Sequence, residues 1–212
     1  MKEYTKIETP YKRDEGGSKK LMEGVFRNEL VEFLQDCKWI GTEKIDGTNI
    51  GVVWDGHSVL FQGRTERAQI PSHLVNRLNE LFQTNEAEEL FEQMFADKEV
   101  ILFGEGYGYK IQNGGSYIKD GCDFILFDVY IPSTDLWLER DSIENIAKMF
   151  GVRCVPVVFE GTIREAVEFV KTKPASTIGT AMMEGIVCKP AVDMIDRMGR
   201  RVIVKVKVRD FV

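Results

Sequence analysis

A six-residue stretch, polar or small but for one isoleucine, interrupts two apolar runs early in the chain, and it constrains the fold more than any other feature. The window reads Thr42-Glu43-Lys44-Ile45-Asp46-Gly47-Thr48-Asn49-Ile50-Gly51-Val52-Val53-Trp54. Runs of this length rich in β-branched and aromatic residues, with a glycine-bearing polar stretch between them, read as strand, turn, strand. Trp39 to Glu43 is the first strand, Asn49 to Trp54 the second, and Ser58 to Gln62 a third beyond an Asp55-Gly56 hairpin turn. The polar turn also concentrates chemistry. A lysine amine beside an aspartate, a glycine and two small polar residues is the layout of a covalent nucleophile.

Further along, apolar periodicity alternates irregularly between helix and strand. Val25 to Cys37 has helical spacing through Val25, Phe26, Leu30, Val31, Phe33 and Leu34. Leu74 to Phe95 reads as helix with a break near Thr84-Asn85, and Ser142 to Phe150 and Ile163 to Lys171 as short helices. Val100 to Gly104, Asp123 to Ile131, Val155 to Phe159, Glu184 to Lys189 and Arg201 to Val208 read as strands, and residues 1–20 as an extended polar lead-in. Without regular βα alternation, an α+β fold with antiparallel sheets flanked by helices is predicted.

At 212 residues the chain suits one domain with a sizeable core. No stretch approaches the roughly 20 apolar residues that span a bilayer, and the N-terminus has no apolar signal core, so a cytoplasmic protein without a membrane partner is expected. Cys37, Cys122, Cys154 and Cys188 are scattered and read as reduced core thiols. Only His57 and His73 could join them, too few for a structural zinc site. A net charge of −6 argues against a nucleic-acid binder, but its distribution softens the point. Acidic residues crowd Glu80 to Glu99, and basic ones crowd Arg197 to Arg209, which is either an exposed strand face or a groove for phosphates. Gly104, Gly106 and Gly108 have the wrong spacing for a dinucleotide-binding loop.

Downstream of Lys44-Ile45-Asp46-Gly47-Thr48-Asn49 come Gly63-Arg64-Thr65, Phe103-Gly104-Glu105-Gly106, Phe124-Ile125-Leu126-Phe127-Asp128, Glu184-Gly185-Ile186-Val187-Cys188-Lys189-Pro190 and Val204-Lys205-Val206-Lys207. In this order, from Glu43 to Lys207, they resemble the motifs of the covalent nucleotidyltransferase superfamily of DNA ligases, RNA ligases and mRNA capping enzymes. The combination of Glu-Lys-Ile-x-Gly-Thr-Asn, Arg-Thr and Phe-Gly-Glu is similar to the RNA ligase 2 branch of phage-type RNA ligases. The resemblance implies two sheets cradling a nucleotide, an ATP-grasp-like adenylyltransferase core, and sealing of 3′-OH to 5′-phosphate ends through a lysyl-AMP. It implies ATP and Mg²⁺ or Mn²⁺ as cofactors, RNA ends or a nicked duplex as partners, and a role in RNA repair as a monomer in a bacterial or phage-infected cytosol. Relatives carry an OB-fold or helical domain beyond the core. This chain ends five residues after Lys207, so a single domain over 1–212 without that appendage is expected. A small DNA ligase, or a non-ligating module that binds nucleotide or RNA ends, remains open.

The resemblance also assigns roles. Lys44 is the nucleophile. It must first lose its proton, which nearby cations and desolvation favour; Lys205, Lys207 and a metal ion are the candidates. Glu184 and Asp46 are the acidic, metal-facing partners, acting through water; Asp46 can equally close an Asx turn on Gly47. Lys205 and Lys207 lie two apart on a strand and face one way, as a triphosphate site needs. Glu105 accepts from ribose hydroxyls, with a solvated strand-end acid as the plain alternative. Phe127 stacks on the purine, or packs with Ile125 and Val129 at alternate strand positions. Asn49 and Arg64 hold ribose and phosphate oxygens, Ile45 lies along the nucleotide, and Glu43 reads the adenine amino group.

Overall fold

Burial alternates residue by residue along Trp39–Lys44 and Val204–Lys207, whereas Val100–Gly108 is buried at nearly every position. The computed structural model describes residues 2–14, 16, 20–65 and 67–211. Its elements follow the order β1 (Tyr11–Arg13), β2 (Leu21–Phe26), α1 (Glu29–Phe33), β3 (Trp39–Lys44), β4 (Thr48–Trp54), β5 (Val59–Gln62), α2 (Ser72–Phe82), α3 (Asn85–Phe95), β6 (Val100–Gly108), β7 (Cys122–Ile131), β8 (Leu136–Trp137), α4 (Arg140–Met149), β9 (Arg153–Cys154), β10 (Val157–Gly161), α5 (Ile163–Lys171), β11 (Gly185–Pro190) and β12 (Val204–Lys207). Two compact units result: Met1–Tyr4 with Asp46–Val155, and Thr5–Ile45 with Pro156–Val212.

The first unit is a mostly antiparallel sheet in the order β5-β4-β6-β7-β8, with β9 parallel to β7. Ile50, Val52 and Trp54 of β4, Val100 and Leu102 of β6, and Phe124, Leu126 and Val129 of β7 form one core with Leu74, Leu78 and Phe82 of α2, Phe91 of α3, and Ile143 and Ile146 of α4. The glycines of Phe103-Gly104-Glu105-Gly106 lie on this covered face, where the packing leaves no room for a side chain. A Cβ at Gly104 would fall 2.2 Å from the Phe124 ring, and one at Gly106 2.4 Å from Leu74. Alternation then turns Phe103, Glu105 and Tyr107 to the opposite face.

In the second unit the sheet order is β10-β3-β11-β12, all antiparallel, with β1 and β2 as a separate pair. α5 presents Ile163, Ala166, Val167 and Val170, at helical spacing, to a core of Trp39, Ile186, Cys188, Val204 and Val206. A capping box of Thr162 and Glu165 starts this helix. Burial in β3 runs Trp39, Gly41, Glu43 inward and Ile40, Thr42, Lys44 outward.

Three expectations need correction. Residues Val25 and Phe26 end β2, and helix α1 begins only at Glu29, because Asn28 caps it by accepting from the Leu30 amide at 2.8 Å. Part of the extended lead-in is a paired strand: Tyr11 opposes Phe26, their ring centroids 5.0 Å apart. Residues 1, 15 and 17–19 of that lead-in lie outside the described ones. The four cysteines are not all core thiols, since Cys37 is exposed while Cys188 is buried.

Candidate active site

Lys44 does not lie in the polar turn; it is the last residue of β3. The register sets Lys44 opposite Gly185 of β11, and Gly185 opposite Lys207 of β12. One row across the sheet therefore reads lysine, glycine, lysine. Neighbouring strands are about 4.8 Å apart, so the two lysine strands flank a central position that has no side chain. Glycine is required there: a Cβ on Gly185 would fall 2.2 Å from the Val206 carbonyl oxygen. Glu184, the residue before β11, fills the gap. Lys44 Nζ donates to its Oε2 at 2.6 Å, and Lys207 Nζ to its Oε1 at 2.5 Å. The three side chains are 24%, 13% and 15% exposed for Lys44, Lys207 and Glu184. Burial pushes the Glu184 carboxyl up, but the charges and hydrogen bonds of Lys44 and Lys207 outweigh it and hold the group below the usual carboxylate range. Lys205 stands two rows along, opposite Val187, and shares a face with Lys207 as their spacing predicts.

Glu43 is on the other face of the same strand. It is 1% exposed, and its carboxylate accepts from Ser176 Oγ at 2.5 Å, the Thr177 amide at 2.9 Å and Thr177 Oγ1 at 2.5 Å. Ile45 is buried next to Lys44 in sequence.

In the other unit, Asp46 is held at both ends. Its amide donates to Tyr117 Oη at 3.2 Å, and its carboxylate accepts from Asn113 Nδ2 at 2.7 Å. Gly47 runs against strand β6, where a Cβ would lie 2.3 Å from the Gly106 carbonyl oxygen. That close approach explains the glycine of the motif. Asn49 of β4 is directly opposite Glu105 of β6, so both side chains share the face away from the helices. Arg64 is exposed just beyond β5. Phe127 does not alternate simply with Val129. Phe103 pairs with Asp128 and Gly104 with Leu126, which leaves Phe127 as the extra residue of a bulge. The bulge turns Phe127 away from Val129 and half-buries it beside Tyr4, whose ring meets it edge-on at 4.9 Å.

Asn113, Tyr117, Ser176 and Thr177 carry no local signal in the sequence, because they lie in loops whose partners are distant in the chain. The opposite facing of Glu43 and Lys44 was readable from strand alternation alone. Among the described residues no three His, Cys, Asp or Glu side chains converge on a ready cation site. The oxygens of Glu184 face two ammonium groups and those of Asp46 an amide. Either acid fits a hard cation only in company with water and phosphate oxygens, which is how Mg²⁺ is commonly held.

Residues 37–207 match the family model for RNA ligases. The chain belongs to the RNA ligase family. Solved structures of Naegleria gruberi RNA ligase are similar to it. A mutant with ATP and Mn has 19% identity and a TM-score of 0.64 over 84% of this chain and 52% of that one. Another mutant, with AMP and Mn, has 19% identity and a TM-score of 0.64 over 95% and 60%. The enzyme with PPi has 20% identity and a TM-score of 0.63 over 96% and 61%. The chain thus spans a little over half the length of these structures. No curated protein matches it. The shared fold is the RNA ligase nucleotidyltransferase core, and the antiparallel α+β architecture predicted from the sequence is the one found. No helix among the described residues is long and apolar enough to cross a membrane.

Proposed function

We propose that this RNA-ligase-family chain is an ATP-dependent RNA ligase, of the RNA ligase 2 type, that works through a covalent lysyl-AMP. The observation that carries the reading is the Lys44–Glu184–Lys207 row, a candidate nucleophile fixed by one carboxylate beside two further outward lysine positions of β12. Deprotonated Lys44 Nζ attacks the α-phosphorus of ATP. The P–N bond forms as the α–β bridge breaks, and pyrophosphate leaves with the electron pair. Lys205 and Lys207 offset the phosphate charge in that step. The AMP then passes to a 5′-phosphate end, Lys44 regaining its amine. A 3′-hydroxyl attacks that end and AMP leaves. These are phosphoryl transfers governed by positioning and electrostatics.

Glu105, Asn49 and Arg64 are proposed to hold ribose and phosphate oxygens, and Phe127 to stack on the base. When bound, Mg²⁺ or Mn²⁺ supplies positive charge at the triphosphate, with Glu184 and Asp46 the acids suited to hold it through water. Adenylyl transfer is assigned to residues 1–212 as one domain, acting as a monomer on RNA ends. Incubation with α-labelled ATP and Mg²⁺, followed by a denaturing gel, tests the central step. Wild type should retain label and Lys44→Ala should not. Label on the variant, or none on wild type, removes the covalent reading and leaves a binding module. A nicked duplex with RNA or DNA at the junction then tells the two ligase types apart.

A further inference from the structure

We infer that the hairpin joining β11 to β12, residues 191–201, docks the RNA duplex that flanks the ends to be sealed, a substrate contact that rests on the RNA ligase reading. The chain stays paired beyond the sheet that carries Lys44 and Lys207. The Val202 amide donates to the Met194 carbonyl at 2.9 Å, Ile195 bridges Arg201 in antiparallel register, and the Asp196 amide donates to the Arg200 carbonyl at 2.7 Å. The turn is tied from within. The Asp196 carboxylate accepts from the Met198 and Arg200 amides at 2.8 and 2.9 Å, and from Arg200 Nε at 2.7 Å. Gly199 takes the positive φ of 72° at the turn. A ribbon of fixed shape therefore continues from the two strands that meet beside Glu184.

This ribbon leaves apolar side chains in water. Val192, Ile195 and Met198 are 70%, 68% and 76% exposed, and Met194 38%. Clustered exposure of this kind marks a binding face. Four basic residues against two acidic ones lie between Lys189 and Arg201, on a chain of net charge −6, and one of those acids, Asp196, is engaged by its own turn. A positive excess on an acidic protein suits a polyanion. From Lys189 to Val204 there is no aromatic residue, so the ribbon offers no platform on which unpaired bases could stack. A duplex needs none. The minor groove of an A-form helix is wide and shallow, and is recognised by its shape, its 2′-hydroxyls and its phosphates. Isoleucine and methionine are among the apolar side chains that enter minor grooves. Ile195 and Met198 are assigned to the groove, and exposed Arg197 to a phosphate on its rim.

Two variants test the two kinds of contact. Ile195→Ser/Met198→Ser removes apolar surface, and Arg197→Gln removes one charge; all three side chains are exposed, so folding should be unaffected. Lysyl-AMP formation from ATP should match wild type in both. Binding of a nicked RNA duplex, followed by fluorescence anisotropy, should weaken about tenfold in the double variant, the size of leaving part of two large apolar side chains in water. Arg197→Gln should weaken it too, and should lower the slope of log affinity against log salt by about one. On a single strand of the same sequence the double variant should bind nearly as wild type does. Wild-type affinity for the duplex in either variant, or equal losses on duplex and single strand, overturns the inference. So does sedimentation without RNA in which wild type is a dimer and the double variant a monomer, since the hairpin is then a contact between copies. If wild type takes no label from ATP, the lysyl-AMP reading fails, and duplex binding still decides the hairpin.

Discussion

Replacing Glu184 by glutamine removes an anion that two lysines share, and the structure sets the size of the effect. Lys44 and Lys207 each donate to a separate oxygen of this carboxylate at 2.6 and 2.5 Å. An exposed ion pair contributes about 0.2–1 kcal/mol. Breaking a fully buried one by deleting a partner costs about 3–5 kcal/mol, because a charge is left uncompensated. With exposures of 13–24%, these side chains stand nearer the buried limit. Glu184→Gln leaves two ammonium groups facing a neutral amide, so a loss of about 3 kcal/mol is expected, at the lower edge of the buried range. Lys44→Ala is different. The carboxylate keeps Lys207 and gains water, so about 1 kcal/mol is expected. Hydrogen exchange of amides in β3 and β11 reads the opening free energy of this sheet without requiring the whole chain to unfold in one step. The decisive comparison is the order of the two variants. If Lys44→Ala costs as much as Glu184→Gln, or if Glu184→Gln exchanges like wild type, the shared carboxylate does not hold the row together.

Phe127→Ala should weaken apparent ATP binding by about 2- to 10-fold, the value of a lost ring-stacking contact, with little effect on thermal unfolding since the ring is half-buried; an unchanged KM for ATP would remove it from the base site. Gly104→Ala should destabilise the first unit by about 1–3 kcal/mol or more, because the new methyl meets both the Phe124 ring at 2.2 Å and the Ile125 carbonyl oxygen at 2.5 Å; a melting temperature equal to wild type would contradict this packing. In native protein at mild alkaline pH, iodoacetamide should modify exposed Cys37 readily and leave Cys188 intact until denaturant is added, since burial pushes the Cys188 thiol far above its usual range. Peptide mapping showing early Cys188 modification would mean that the α5-covered core opens.

Local rules in the chain were sufficient for a good deal of this protein. Alternation and turn chemistry determined β3, β4 and β5. Amphipathic spacing determined α2, α3 and α5, including the break at Thr84, whose hydroxyl caps α3. The two-residue spacing alone put Lys205 and Lys207 on one face. The same rule separates Glu43 from Lys44. Where local rules competed, they misled: Val25 and Phe26 match a helical period and a strand equally well, and pairing with Tyr11 decided for the strand. Register was beyond local rules altogether. Lys44 and Glu184 are 140 residues apart, and only the pairing of β3, β11 and β12 brings lysine, glycine and lysine into one row around that carboxylate. The same holds for the Phe127 bulge and for the loop that Ser176 and Thr177 fasten to Glu43. Helix and strand propensities act over a few residues and are written in the chain, whereas register, bulges and loop anchors depend on which distant side chains fit together once the sheets have formed.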